Sequence, residues 1–268
     1  MRRRRPPRDL TALLRDAAGR RLWQWLLLDQ AERAALERTA GRLLDKRWEA
    51  SHGFAIDDEM RATVAVHAAL LHLGHDEVPF GNVTAVVIHS TTMTLRGERP
   101  GPLPGVVTNA PLPTHGHTTA RGPVFLAWDV IARELAAPRR TTNVILHEFA
   151  HKIDALNGTF DGTPRLAGAA QLEEWIGVCT AELEALRRGT PSAVLRPYAA
   201  TNPSEFFAVA TESFFEQPLA LRAEKSRLYG VLAAYYRQDP AAREVGGAGP
   251  VADTGATGGL TQWITPSG

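Results

Sequence analysis

Apolar residues recur three to four positions apart from Leu10 to Leu28 and again from Gln30 to Trp48, where Leu36, Ala40, Leu43 and Leu44 share a face. That spacing predicts two amphipathic helices. From Asp57 to Leu73 the polar face nearly disappears, because Val64, Val66, Ala68, Ala69, Leu70 and Leu71 crowd together. A third helix of this kind belongs in a core, capped by Asp57 or Asp58 and stopped at Gly74. The β-branched run Val83 to Ile88 then predicts a strand. Val106-Val107 is a weaker strand candidate, and Gly122 to Trp128 is a short apolar run whose Pro123 suggests a sheet edge. Between Arg96 and Gly122 the chain is loop-like and rich in Gly and Pro. Helical spacing returns at Thr141 to Leu156, which ends on Asn157-Gly158. It continues at Ala169 to Arg188, Pro203 to Glu216 and Pro218 to Arg237. Helices, then strands, then helices argue for an α+β fold.

The same pattern divides the chain into a basic start (1–9), one folded domain (10–240) and a Gly/Ala/Thr-rich tail (241–268) expected to be disordered. The 268 residues, 44% of them hydrophobic, suffice for a substantial core. No apolar run approaches the roughly 18 residues of a membrane span; Leu22 to Leu28 is interrupted by Gln24 and ends at Asp29. Arg2 to Arg5 resemble the charged start of a signal peptide, but no apolar segment of about 7–15 residues follows, so a cytoplasmic protein is expected. The net charge of +1 gives no pull toward nucleic acid or an anionic membrane. The arginine block lacks interleaved aromatics and reads as a solvated tail. Cys179, the single cysteine, precludes an intrachain disulfide and sits on an apolar helical face as a small hydrophobe.

The candidate chemistry lies in His147-Glu148-Phe149-Ala150-His151. On a helix, imidazoles four positions apart stack one turn above another and reach a single ion. Zinc suits such ligands and lowers the pKa of a bound water to about 7, and Glu148 beside it can take up the proton. The motif is embedded among Val144, Ile145, Leu146 and Ile153. Burying two imidazoles and a carboxylate in such surroundings is costly unless something compensates them, and a metal would. Asp154 shares the ligand face and is a candidate acceptor for an imidazole N–H. A catalytic zinc needs a third protein ligand and one open position. Asn202-Pro203 starts a helix, which puts Glu205 in its first turn and Glu212 two turns on, near the same face. Glu205 also has the spacing of a capping box with Asn202. Either glutamate can complete the site on this reading. Two further histidine pairs, His115 with His117 and His72 with His75, lack a companion ligand at suitable spacing and read as ordinary polar or core histidines; His115 and His117 are also candidates for a substrate cleft.

The segments His147-Glu148-Phe149-Ala150-His151-Lys152-Ile153-Asp154 and Tyr198-Ala199-Ala200-Thr201-Asn202-Pro203-Ser204-Glu205-Phe206-Phe207-Ala208-Val209 together resemble the Mlc titration factor A family of zinc-dependent peptidases. Gly53 to Met60 and Gly122 to Trp128 resemble further segments of that family, and the likeness covers about residues 20 to 240. The catalytic domain of anthrax lethal factor is similar over the two motif segments alone. The resemblance implies a zincin-like (gluzincin) metallopeptidase fold, helices around a small mixed sheet with an edge strand beside the motif helix. It also implies one zinc per chain on His147, His151 and Glu205, with Glu148 as general base. Tyr198 would donate a hydrogen bond to the oxygen on which negative charge develops, and Glu212 would move to the surroundings of the ligands, with Asp154. The implied activity is hydrolysis of peptide or protein substrates, aminopeptidase-like. The alternative is a regulatory binding protein that sequesters a transcription repressor with little or no proteolysis.

Overall fold

The computed structural model describes residues 9–51, 53–75, 79–91, 121–137 and 140–247, and between them five short strands at 93–95, 99–100, 107–108, 112–114 and 116–118. Helix α1 (Leu10–Arg21) is capped by Asp9 and gives way at Trp23–Leu27 to a 3-10 turn, so the apolar stretch to Leu28 is one helix plus a tighter turn. Asp29 and Glu32 form a reciprocal capping box at the start of α2 (Gln30–Leu44). The helix expected to reach Trp48 stops short, and Arg47–Ala50 instead forms strand β1. α3 (Asp58–Leu70), capped by Asp57, is buried along almost its whole length. Gly74 beyond it stands where a Cβ would lie 2.3 Å from the Tyr236 carbonyl oxygen. Close backbone approach is what that glycine allows.

Strand β2 (Val83–His89) pairs in parallel with β1. The chain continues through β3 (Met93–Leu95), β4 (Arg99–Pro100), β5 (Val107–Thr108) and β6 (Leu112–Thr114), which form two small ribbons, β3 with β6 and β4 with β5. β7 (Gly116–Thr118) and β8 (Gly122–Ala127) complete the main sheet in the order β1-β2-β8-β7. β1, β2 and β8 run parallel and β7 is antiparallel, so the sheet is small and mixed. β8 is therefore an inner strand, contrary to the expectation drawn from Pro123, and the edge is β7. Pro123 is tolerated because the β2–β8 register jumps past it and the β7–β8 ladder begins at Val124.

α4 (Trp128–Ala136) leaves β8 directly. α5 (Val144–Asp154), the motif helix, is buried throughout and packs against α3, α7, β7 and β8. A 3-10 turn and left-handed Gly158 end it. α6 (Ala169–Arg187) and α7 (Pro203–Glu216) follow; α7 has the limits expected, capped by Asn202 and carrying Pro203 in its first turn. The stretch Pro218 to Arg237 breaks into α8 (Pro218–Glu224) and α9 (Ser226–Tyr236) at Lys225. α10 (Pro240–Gly247), with Ala241 fully buried, folds inside the segment assigned to the tail. Arginines 2–5, His115 and residues 248–268 lie outside the described residues, as do most of residues 101–120. Helices and sheet share one continuous apolar cluster running from Leu14 to Ala241, which makes the architecture α+β. Among the described residues no helix is long and apolar enough to cross a membrane.

The turn after α5 is fixed to the start of α7. Gly162 is buried at φ +73°, and a Cβ there would sit 2.3 Å from the Pro203 carbonyl oxygen. Gly162→Ala combines left-handed strain with a backbone clash and is expected to cost about 1–3 kcal/mol in chemical denaturation; an unchanged denaturation midpoint would contradict the close packing.

Candidate metal centre

Asn143 sets the start of α5. Its side chain accepts from Leu146 N, and its own N–H and amide donate to Glu212 Oε2 at 2.8 Å and Glu216 Oε1 at 2.6 Å. Two carboxylates of α7 thus meet the N-terminus of α5, where unpaired N–H groups and the helix dipole favour negative charge. The α5–α7 packing brings the motif to Glu205. His147 Nε2 and His151 Nε2 are 3.2 Å apart, and Glu205 Oε2 lies 3.0 and 3.5 Å from them. Tetrahedral zinc with bonds of roughly 2.0–2.1 Å requires ligand atoms about 3.3 Å apart. Glu205 Oε2 is buried and has no hydrogen-bond partner. Three converging donors and an orphaned carboxylate oxygen fit a cation. Among the described residues no other group of His, Cys, Asp and Glu converges in this way.

The distal side of each imidazole is also committed. His147 Nδ1 lies 2.7 Å from Glu212 Oε1. Glu212, fully buried, is gripped by Arg196, whose Nη1 and Nη2 donate at 2.8 and 2.6 Å. His151 Nδ1 lies 2.9 Å from Ser204 Oγ, and Ser204 Oγ donates to Asp154 Oδ2 at 2.7 Å. In both rings the proton belongs on Nδ1 and the lone pair of Nε2 faces the centre, the tautomer a metal requires. Asp154, expected as a direct acceptor, therefore acts one residue removed, because Ser204 occupies the space between it and the ring.

Asn202 caps α7 through Glu205 N, while the Glu205 carboxylate turns to the imidazoles. Glu148, buried in α5, lies close enough for its charge to be felt by His147 and by Tyr198. Tyr198 stands on a 3-10 turn (Pro197–Ala200) with its ring 6.1 Å from that of His147 and stacked under the Arg196 guanidinium. Burial, then the charge of the Glu205 carboxylate, raise its pKa above the usual phenol range.

The electrostatics favour positive charge at the centre. Burial works to lower His147, but the nearby carboxylates of Glu205 and Glu212 outweigh it and push the imidazole up to about 10. Burial likewise opposes the charge of Glu205, yet the two histidines hold its carboxyl well below the usual range. Glu212 is held down in the same way by His147 and Arg196. The acidic shell that would protonate His147 serves equally to stabilise a divalent cation, whose binding must displace that proton. Lys152, whose pKa burial lowers to about 8, ties the helix to the sheet by donating to the Gly122 carbonyl at 2.9 Å.

The structure thus brings together His147, His151 and Glu205, with Glu148 and Tyr198 beside them and Glu212 behind. Sequence reasoning missed Ser204, Arg196 and Asn143. Only Asn143 left a signal, as a capping residue before an apolar helical run. His72 packs edge-on to Phe80 and burial lowers its pKa to about 3; His75 packs against Tyr235. Cys179 is half-buried, and burial pushes its thiol up to about 12, far from a reactive thiolate.

A family model described as glucose-regulated metallo-peptidase M90 matches residues 1–237. An uncharacterized protein of Synechocystis sp. is 32% identical over 228 residues, 83% of this chain and 82% of the relative. Mlc titration factor A of Serratia proteamaculans is 28% identical over 225 residues, 81% of this chain and 84% of the relative. That of Edwardsiella ictaluri is 34% identical over 145 residues, about half of each chain.

Proposed function

The chain belongs to the glucose-regulated metallo-peptidase M90 family, and on that premise we propose that it is a zinc-dependent peptidase with a zincin-like (gluzincin) domain over about residues 10–240. The observation that carries this reading is the set of three ligand atoms within 3.5 Å of one another with both Nδ1 atoms engaged behind them. His147, His151 and Glu205 hold one zinc. The bound ion would act as a Lewis acid that activates a water molecule for attack on a peptide carbonyl. Glu148 accepts the proton from the attacking water and passes it to the departing amine, a role that needs a carboxylate beside the ligands and not on the metal. Tyr198 donates a hydrogen bond where the carbonyl oxygen gains negative charge. The half-exposed position of Tyr198 leaves its face open to a substrate. We assign the activity to short peptides, aminopeptidase-like. Digestion of a peptide library tests this: cleavage is expected to stop on chelation and return with zinc, and no cleavage by the zinc-loaded protein would overturn the reading.

Ser204→Ala removes the bond to His151 and the relay to Asp154. Zinc affinity, read by competition with a chromophoric chelator, is expected to fall about 10–100-fold; an unchanged affinity would show that the ring needs no such support.

The name carried by several relatives supports a second reading, binding of a transcription repressor. Co-purification of the chain with a purified Mlc repressor, with and without zinc, separates it from proteolysis.

A further inference from the structure

The metal ligands are flanked by two exposed aromatic rings. Tyr198, 46% exposed, stands beside His147, and Phe160, 42% exposed, lies edge-on to His151 with ring centroids 6.4 Å apart. The mechanism uses Tyr198 and leaves Phe160 without a role. A single exposed apolar side chain on a protein surface ordinarily needs no explanation. Phe160 differs in how firmly its loop is built and in where it points. Asn157 Nδ2 donates to the Thr163 carbonyl at 2.9 Å, and Thr159 donates to Asn157 Oδ1 through both N and Oγ1, at 2.9 and 2.8 Å. Thr163 N donates to Asp161 Oδ1 at 2.9 Å. Buried Trp175 donates its indole N–H to the Gly162 carbonyl at 3.0 Å. Gly162 itself is wedged against Pro203, two residues before Glu205. Every residue of this loop except Phe160 is bonded or packed inward, and the one large apolar side chain is held out over a metal ligand.

We infer that Phe160 forms an apolar subsite for a hydrophobic side chain of the peptide adjoining the bond to be cleaved. This rests on the peptidase reading for its setting. The physical basis is the area such a side chain removes from water against the ring, on a loop whose rigidity spares the entropy of ordering it. Substrates with an apolar residue near the scissile bond are therefore preferred over those with a charged residue there.

The test is binding to zinc-loaded Glu148→Gln protein, which holds peptide without turnover. The probes are dansyl-labelled alanine hexapeptides carrying one Phe, or one Asp in its place, followed by fluorescence anisotropy. The Phe peptides are expected to bind about tenfold more tightly than the Asp peptides. Adding Phe160→Ala is expected to remove most of that difference by weakening the Phe peptides alone, with zinc content unchanged, and Phe160→Leu is expected to retain much of it. An unchanged preference in Phe160→Ala, or no binding of any probe, overturns the inference. Turnover by the wild-type protein is scored separately. If it cleaves nothing while the preference still depends on Phe160, the peptidase reading falls and the subsite stands.

Discussion

Glu148→Gln is expected to reduce peptide hydrolysis by about 10²–10⁴-fold while leaving one zinc per chain. The glutamate is buried on the same helix as both imidazoles, and it is not among the three groups whose ligand atoms converge. Glutamine keeps the volume and the polarity of the site, so neither folding nor the His147–His151–Glu205 geometry has reason to change. Only the capacity to accept a proton is lost. The discriminating measurement is therefore a pair: kcat/KM on a cleaved library peptide, and metal content on the same preparation. Full activity in the variant would remove Glu148 from proton transfer. Loss of the metal along with activity would make Glu148 a ligand or a structural support, and the proposed division of labour would fail.

The second large effect separates Glu205 from Glu212. Glu205→Gln is expected to strip stoichiometric zinc, because the amide offers a weak, neutral oxygen where a buried carboxylate oxygen now completes the triad. Were the side chain only a capping partner of Asn202, the cost would be about 1 kcal/mol of stability with zinc affinity intact. Glu212→Gln acts differently. It leaves the three ligand atoms in place but weakens the acceptor for His147 Nδ1 and leaves the Arg196 guanidinium facing a neutral amide. Zinc affinity is then expected to fall about 10–100-fold, together with a loss of folding stability, since the half-buried Arg196 loses its bidentate carboxylate partner. Zinc affinity and chemical denaturation of both variants decide the matter. If Glu212→Gln loses the metal and Glu205→Gln keeps it, the carboxylates have been assigned the wrong way round.

What could be read from the sequence follows the range of the interactions involved. Helix α7 emerges with its limits intact because Asn202-Pro203 and Gln217-Pro218 punctuate it locally. The placement of His147, Glu148 and His151 on one helix is likewise a matter of spacing. Strand β1 was hidden because Arg47-Trp48-Glu49-Ala50 is mostly exposed at the sheet edge and gives no alternation of burial, so it reads as the end of α2. α4 was hidden because it leaves β8 with no side-chain cap to announce it. Pro123 misled for a different reason: the register jump that accommodates it is a property of the paired strands, not of the run itself. Of the supporting shell, Asp154 is legible from its spacing and Glu212 from the family resemblance alone, whereas Ser204 and Arg196 leave no local signal, for the same reason of range. Ser204 reaches His151 and Asp154 across 53 and 50 positions, and Glu212 reaches His147 across 65. Local spacing says nothing about such pairs. Periodicity left Glu205 and Glu212 equivalent, and the packing of α5 on α7 distinguishes them by sending one carboxylate to the Nε2 atoms and the other to Nδ1.

A metal held by these three side chains is the first requirement of the proposed chemistry. The most direct measurement is the zinc content of the purified chain, by mass spectrometry of the native protein, beside His151→Ala prepared identically. One zinc per wild-type chain, lost from His151→Ala with the fold retained by circular dichroism, is the predicted result. One zinc bound at unchanged affinity in His151→Ala would contradict it.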